Sequence, residues 1–262
     1  MRGMNDGIAY AQQHGLDTQL EIISPDDEAQ YLEKLDEMIA SEIQGIVLRG
    51  FESEALDARL KMLQDRDIPV FTYNEDVQPS LRKCFVGIDS YQSGKCAALL
   101  VQQISPPNGS ALIVGVTPQH KDSEERIRGF LAQWVSGSGA QTMPQIIYGQ
   151  GYHGVAYSLT CEALERSPDI TGIFVSGAGL SGVAQAVDER GKQGIPKVVG
   201  FDATPSNISY MQKGTVQFLI DQSPYIQGYK SVQLLVDYLF AGSVPSCSCY
   251  NPGIQIKNVY SC

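Results

Sequence analysis

The chain has 262 residues, 43% of them hydrophobic, and a formal net charge of −10 with no cluster of Lys or Arg. That length holds one large or two smaller hydrophobic cores, and the lack of a basic footprint excludes a nucleic-acid surface. No apolar run approaches the roughly 20 residues of a bilayer-spanning helix, and the opening MRGMNDGIAYAQQ has no signal-peptide core.

Taken in chain order, short β-branched or apolar runs alternate with amphipathic segments. The runs are QLEIIS (19–24), GIVLRG (45–50), PVFTYN (69–74), CFVGID (84–89), ALIVGV (111–116), QIIYG (145–149), GIFVSG (172–177), VVGFD (198–202) and QFLID (217–221). Between the first two, Pro25 reads as a helix start with acids in the first turn and Tyr31, Leu35, Met38 and Ile39 on one face. Loops at Ser105-Pro-Pro-Asn-Gly and Ser136-Gly-Ser-Gly punctuate the middle of the chain. Apolar strands separated by helices predict an α/β fold with parallel sheets covered on both faces.

The stretch from Lys197 to Tyr229 carries the most functional information. Two apolar runs end there in the polar side chains Asp202 and Gln222. Pro205 opens one crossover helix, Gly214 stops it, and Pro224 opens the next. In a parallel sheet the carboxyl ends of successive strands share one edge, where such folds bind small molecules.

Six cysteines, three of them at 247, 249 and 262, lean toward an oxidising compartment, with Cys262 expected to pair with Cys247 or Cys249. The histidines at 14, 120 and 153 are too scattered for a metal site, and no metal or other cofactor is expected. Asn108-Gly-Ser and Asn207-Ile-Ser match the glycosylation tripeptide, a pattern that chance supplies often.

The order IPVFTYNED, FVGIDSYQSGKCAA, EERIRGF, GIFVSG, VVGFDATP, DQSPYIQGY resembles the type I periplasmic binding proteins for sugars, related to the effector domains of lac-repressor-type regulators. The resemblance implies two αβα lobes with doubly wound parallel sheets, joined by a three-stranded hinge and closing over a monosaccharide-like ligand in the cleft between them. The first lobe would be 1–88 plus 222–249 and the second 89–221 plus 250–262. Relatives begin with a strand that precedes the helix resembling RGMNDGIAYAQQHG, so the first strand is expected to be missing from this chain.

Sugar recognition calls for planar polar side chains that bond adjacent hydroxyls. The resemblance places Asn74, Asp89, Asp202 and Gln222 at such positions, although Asn74 and Asp89 also suit turn and helix-cap chemistry. The family's ligand-binding arginine falls at Glu124, and Arg126 matches a second arginine that more often serves the core. Arg128 would face elsewhere, since residues two apart on a helix do not share a side. The family's Asn-Asp pair is replaced by Ser176 and Gly177, and Arg49 stands at a loop position that contacts ligand in some relatives.

The implied function is a monomeric solute-binding protein for a sugar or polyol, periplasmic or extracellular, serving a membrane transporter or receptor. The alternative is the ligand-sensing domain of a repressor or sensor kinase. Enzymatic motifs fail: GLSGV around Ser181 lacks the last glycine of a nucleophile elbow, and no phosphate loop or dinucleotide fingerprint appears. Asp89 and Asp202 could imitate a glycosidase pair only at a set separation.

Overall fold

A computed structural model describes residues 2–23, 27–106, 109–136, 142–190, 194–242 and 248–261. The expectations at Pro25, Asn108, the 137–139 loop, Cys247 and Cys262 lie outside these residues, and with the two cysteines goes the tail disulfide. The chain forms two compact units, residues 1–88 with 223–253 and residues 89–222 with 254–262. Gln222 falls in the second of them and residues 250–253 in the first.

In the first unit a sheet of four parallel strands runs in the order β1-β2-β3-β9, from β1 (Ile46–Arg49), β2 (Val70–Tyr73), β3 (Cys84–Val86) and β9 (Cys249–Tyr250). Side chains alternate across it, as the period of two requires. Ile46, Leu48 and Val70 pack with Leu35 and Ile39 of α2 (Glu28–Ala40) and with Leu56, Leu60 and Leu63 of α3 (Glu54–Asp65). On the opposite face Val47 and Tyr73 meet Met4 and Ala11 of α1 (Arg2–Gln13) and Val232 and Val236 of α9 (Pro224–Ala241). The helices start where their caps allow: Asp27 accepts the Gln30 N–H, Ser53 accepts those of Ala55 and Leu56, and Pro224 occupies the first turn of α9.

One expected strand does not form. Residues 16–23, which include most of QLEIIS, run without strand pairing, and Leu20 and Ile22 stand exposed. A groove of about 430 Å³ separates this segment from the outer margin of β1, with Met4, Leu35 and Val236 among the residues that line it. An alternating pattern prepares a segment for a sheet, but a strand exists only by pairing, and here the neighbouring position is open. Ile46 N–H donates to Pro69 and Gly50 N–H to Glu75. Alternate peptides of β1 therefore face β2, and the Val47 peptide faces the groove.

The second unit is built on six strands in the order β10-β8-β7-β6-β4-β5. These are β4 (Ser110–Gly115), β5 (Gln145–Tyr148), β6 (Ile170–Val175), β7 (Lys197–Phe201), β8 (Val216–Asp221) and β10 (Gln255–Lys257), all parallel except β10, which pairs antiparallel with β8. One face carries α4 (Ser90–Ile104) and α5 (Lys121–Ser136); the other carries α6 (His153–Arg166), α7 (Leu180–Glu189) and α8 (Pro205–Gln212). Strand β4 is buried along its whole length, which is why ALIVGV reads as an unbroken apolar run.

Helices α4 and α5 meet through two glycines. A Cβ on Gly94 would lie 1.9 Å from the Arg126 carbonyl oxygen, and one on Gly129 would lie 2.0 Å from that of Tyr91. No larger residue permits this approach, and it fixes Arg126 against the sheet.

Candidate functional site

Polar groups of the second unit gather at the carboxyl ends of β6, β7 and β8. A column of rings leads to them: Trp134 stacks on Phe130, Phe130 on Phe174 at 4.9 Å, and Phe201 lies 6.1 Å from Phe174. The Arg126 guanidinium caps that column, 4.0 Å from the Phe201 ring centre. Arg126 is only 6% exposed. Its N–H groups donate to Ser176 O at 2.9 Å and to Gln222 Oε1 at 2.8 Å. Gln222 in turn donates through Nε2 to Asp202 Oδ1 at 2.9 Å. The amide thus links a buried cation to an exposed carboxylate, each group fixing the orientation of the next.

The backbone at this edge is unusual in the same places. Gln150 and Asp202 adopt positive φ, 55° and 66°, just beyond the ends of β5 and β7, and in the first unit Asn74 does the same after β2, at 63°. Left-handed backbone is costly for residues other than glycine and persists where surrounding bonds over-determine it. At Asp202 those bonds come from Asn207, whose side-chain amide donates to Phe201 O at 3.2 Å and Asp202 O at 2.9 Å. Asn207 is buried, so its Asn-Ile-Ser tripeptide serves the turn and is no glycosylation acceptor in the folded protein.

The other expected site residues divide by what they touch. Ser176 is fully buried, its hydroxyl 2.7 Å from Ser123 Oγ, a contact that ties the start of α5 to the end of β6. Gly177 follows it, and a Cβ there would come 2.6 Å from Val116. Asp89 caps α4 by accepting the Gln92 N–H at 2.9 Å. Arg128 points outward and pairs with Glu125 at 2.5 Å.

In the first unit Arg49 ends β1 and Asn74 follows β2. Arg49 forms an ion pair with Glu75, and its carbonyl accepts the Tyr31 hydroxyl at 2.8 Å. Burial pushes the Tyr31 phenol well above the usual tyrosine range, the nearby Tyr73 adds to this, and Arg49 opposes it. Asn74 N–H donates to Val86 O.

Sequence reasoning did not foresee Tyr148 or Ser123. Tyr148 ends β5 with its ring against Gly115, where a Cβ would lie 2.8 Å from two ring carbons. Neither has a sequence signal, because both gain their place only through the β4–β5 and α5–β6 neighbourhoods.

A doubly wound sheet with a polar edge at its strand ends, beside a second unit of the same construction, defines the class of two-unit α/β binding folds. The periplasmic binding protein domain matches residues 2–243, and the chain belongs to that family. It is 24% identical over 225 residues to the fructose import binding protein FruE of Bifidobacterium longum, covering 81% of this chain and 67% of that one. It is 24% identical over 230 residues to the xylose/arabinose-binding protein XylF of Sulfolobus acidocaldarius, covering 80% of this chain and 55% of that one. Among solved structures, GanP, a glucose-galactose binding protein from Geobacillus stearothermophilus, superposes with a TM-score of 0.84 at 24% identity, over 99% of this chain and 92% of that one.

Proposed function

We propose that the protein is a solute-binding protein that holds a monosaccharide or sugar-like polyol at the strand-end edge of its second unit. The observation that carries this reading is the Arg126–Gln222–Asp202 relay, which presents an oriented carboxylate and amide where strands end and backbone is held left-handed. Such a pair suits adjacent hydroxyls, since each planar group can accept from or donate to two neighbours at once. Asp89, at the start of α4, offers a further carboxylate, and Gly177 supplies backbone groups beside the fully buried Ser176, whose carbonyl already accepts from Arg126. Asn74 and Arg49 stand at the strand ends of the first unit and offer groups of the same kind.

The protein binds without turnover and acts as a monomer outside the cytoplasm. It delivers its ligand to a membrane transporter or receptor. That one relative is a fructose import binding protein and another a xylose/arabinose-binding protein supports a sugar as the ligand class. A thermal-shift screen across pentoses, hexoses, polyols and sugar acids tests this. A ligand at 100 times its Kd adds about 2.7 kcal/mol of stability, which moves the melting temperature by a readily measured amount. No shift with any sugar or polyol would overturn the reading.

A further inference from the structure

Helices α6 and α7 of the second unit meet at their first turns, where a Cβ on Gly182 would lie 2.1 Å from the His153 carbonyl oxygen. That approach is open only to glycine, and it sets the His153 ring beside the Ser181 side chain, 28 positions along the chain. His153 Nδ1 lies 2.9 Å from Ser181 Oγ, and its Nε2 lies 2.8 Å from Gln185 Oε1. Gln185 Nε2 donates to Glu189 Oε1 at 2.7 Å, and the Tyr157 hydroxyl donates to Glu189 Oε2 at 2.6 Å. The Arg126–Gln222–Asp202 relay uses none of these five side chains.

The network assigns the protons. A carboxylate can only accept, so Gln185 turns its amide NH2 toward Glu189 and its carbonyl oxygen toward His153. Hydrogen bonds from Tyr157 and Gln185 hold the Glu189 carboxyl below the usual carboxylate range, which keeps it an acceptor. Facing a carbonyl, His153 Nε2 carries the ring hydrogen, and Nδ1 of the neutral ring is then an acceptor. Ser181 is left as the donor, so its hydroxyl proton points at a base. A serine hydroxyl is a weak nucleophile alone and a competent one when an adjacent base can take its proton. Ser181 is the second residue of α7, and first-turn N–H groups have no carbonyl of their own helix to meet, so they favour negative charge that forms beside it. The missing last glycine of GLSGV removes an elbow but leaves this pairing in place.

We propose that Ser181 is a covalent acyl-acceptor site, with His153 as its general base and an activated acyl ester as the donor. Ser181 Oγ attacks the ester carbonyl carbon while its proton passes to His153 Nδ1. The bond from that carbon to the leaving group breaks, and the leaving group departs with the proton from His153. The product is an O-acyl serine, one per chain. His153 is exposed and Ser181 half-buried, so a donor reaches the hydroxyl from solvent. An activated ester fits because its leaving group departs readily and needs only the one proton that the imidazolium supplies. This site neither contains nor requires the strand-end relay.

Reaction with p-nitrophenyl acetate, followed by nitrophenolate release and peptide mass mapping, tests it. In the parent, Ser181 should gain its acetyl group about 100-fold faster than other exposed serines. His153→Gln should slow acetylation of Ser181 by about 100-fold while the other serines react as in the parent, and Ser181→Ala should abolish the fast phase. Gln185 acts through the ring, and nitrogen-15 shifts of the three histidines read that effect directly. The neutral His153 ring should carry its hydrogen on Nε2 in the parent and lose that preference in Gln185→Leu, with slower acetylation at an unchanged melting temperature. Acetyl groups spread over the serines without preference for Ser181, a Ser181 rate that survives His153→Gln, or a neutral parent ring with its hydrogen on Nδ1 would each overturn the proposal, and none of these bears on sugar binding.

Discussion

The two units are built by the same alternation of strand and helix, yet their sheets end differently. In the second unit β4 and β6 lie inside the strand order, flanked on both sides, and their side chains are buried almost throughout. In the first unit β1 forms the margin, and an apolar groove rather than a strand lies beside it. Local sequence quality is alike in the two cases, since GIVLRG is as strand-like as GIFVSG. What differs is position in the sheet, which no single segment encodes. A strand with two neighbours turns its hydrophobicity into core; one at an open margin leaves part of it facing a groove.

The largest effect that would sharpen this contrast is expected at the helix pair of the second unit. Gly94→Ala must push α4 from α5, because its Cβ has no room beside the Arg126 carbonyl. Overpacking of this kind should cost about 3 kcal/mol in urea denaturation. A variant as stable as the parent would show that the two helices tolerate a wider spacing and that the second unit is less tightly determined than its packing indicates.

Hydrogen exchange reads the contrast directly. The Val47 amide, facing the groove, should exchange on the order of 100-fold faster than the Ile113 amide in the interior of β4, a difference of about 2.8 kcal/mol in opening free energy. Equal protection at the two positions would mean that the β1 margin is covered in solution, and the contrast between the units would fall.

The site itself responds on a similar or smaller scale. Asp202→Ala and Gln222→Ala should each weaken binding of the sugar that gives the largest thermal shift by about 10- to 100-fold, as expected when a side chain that hydrogen-bonds the ligand is removed. Gln222→Ala should also lower stability, because it strands an Arg126 N–H, whereas the exposed Asp202 carboxylate contributes little. Calorimetry and melting curves on both variants separate the two roles. Parent-like affinity in both would remove this edge as the binding surface.

The smallest effect is expected in the first unit and depends on pH. Tyr31 is held protonated by burial, with its folded pKa above the unfolded value of about 10. Its stabilising contribution is fully present below pH 10 and is lost as pH rises toward the folded pKa. Tyr31→Phe should cost about 1 kcal/mol at pH 7 through loss of the bond to Arg49 O, and should lose less stability than the parent between pH 9 and about pH 11. Identical alkaline profiles would show that Tyr31 is not the group that couples this unit to pH.

Much of this architecture was legible in advance. Eight of the nine apolar runs become strands because each carries a pattern that any parallel neighbour can use. Asp202 and Gln222 were visible as polar endings on apolar runs, and Pro205 and Pro224 marked the helices that follow. Residues 19–24 show the limit, since the same pattern without a neighbour leaves an unpaired segment. At the site, the buried placing of Ser176 and the partnership of Arg126 with Gln222, 96 positions along the chain, had no local signature.

The sequence by itself determined the alternation of strand and helix, the side-chain caps that begin α2, α3, α4 and α8, and the polar residues placed where strands end. These are properties of segments a few residues long, governed by side-chain period, backbone preference and capping. Only the tertiary structure decided which strands have neighbours, that Arg126 turns inward onto Phe201, and that Asp202 is reached through Gln222. Those outcomes depend on strand order and on the approach of α4 to α5, and both are set by contacts between residues far apart in the chain, where burial and hydrogen bonding are satisfied jointly rather than one segment at a time.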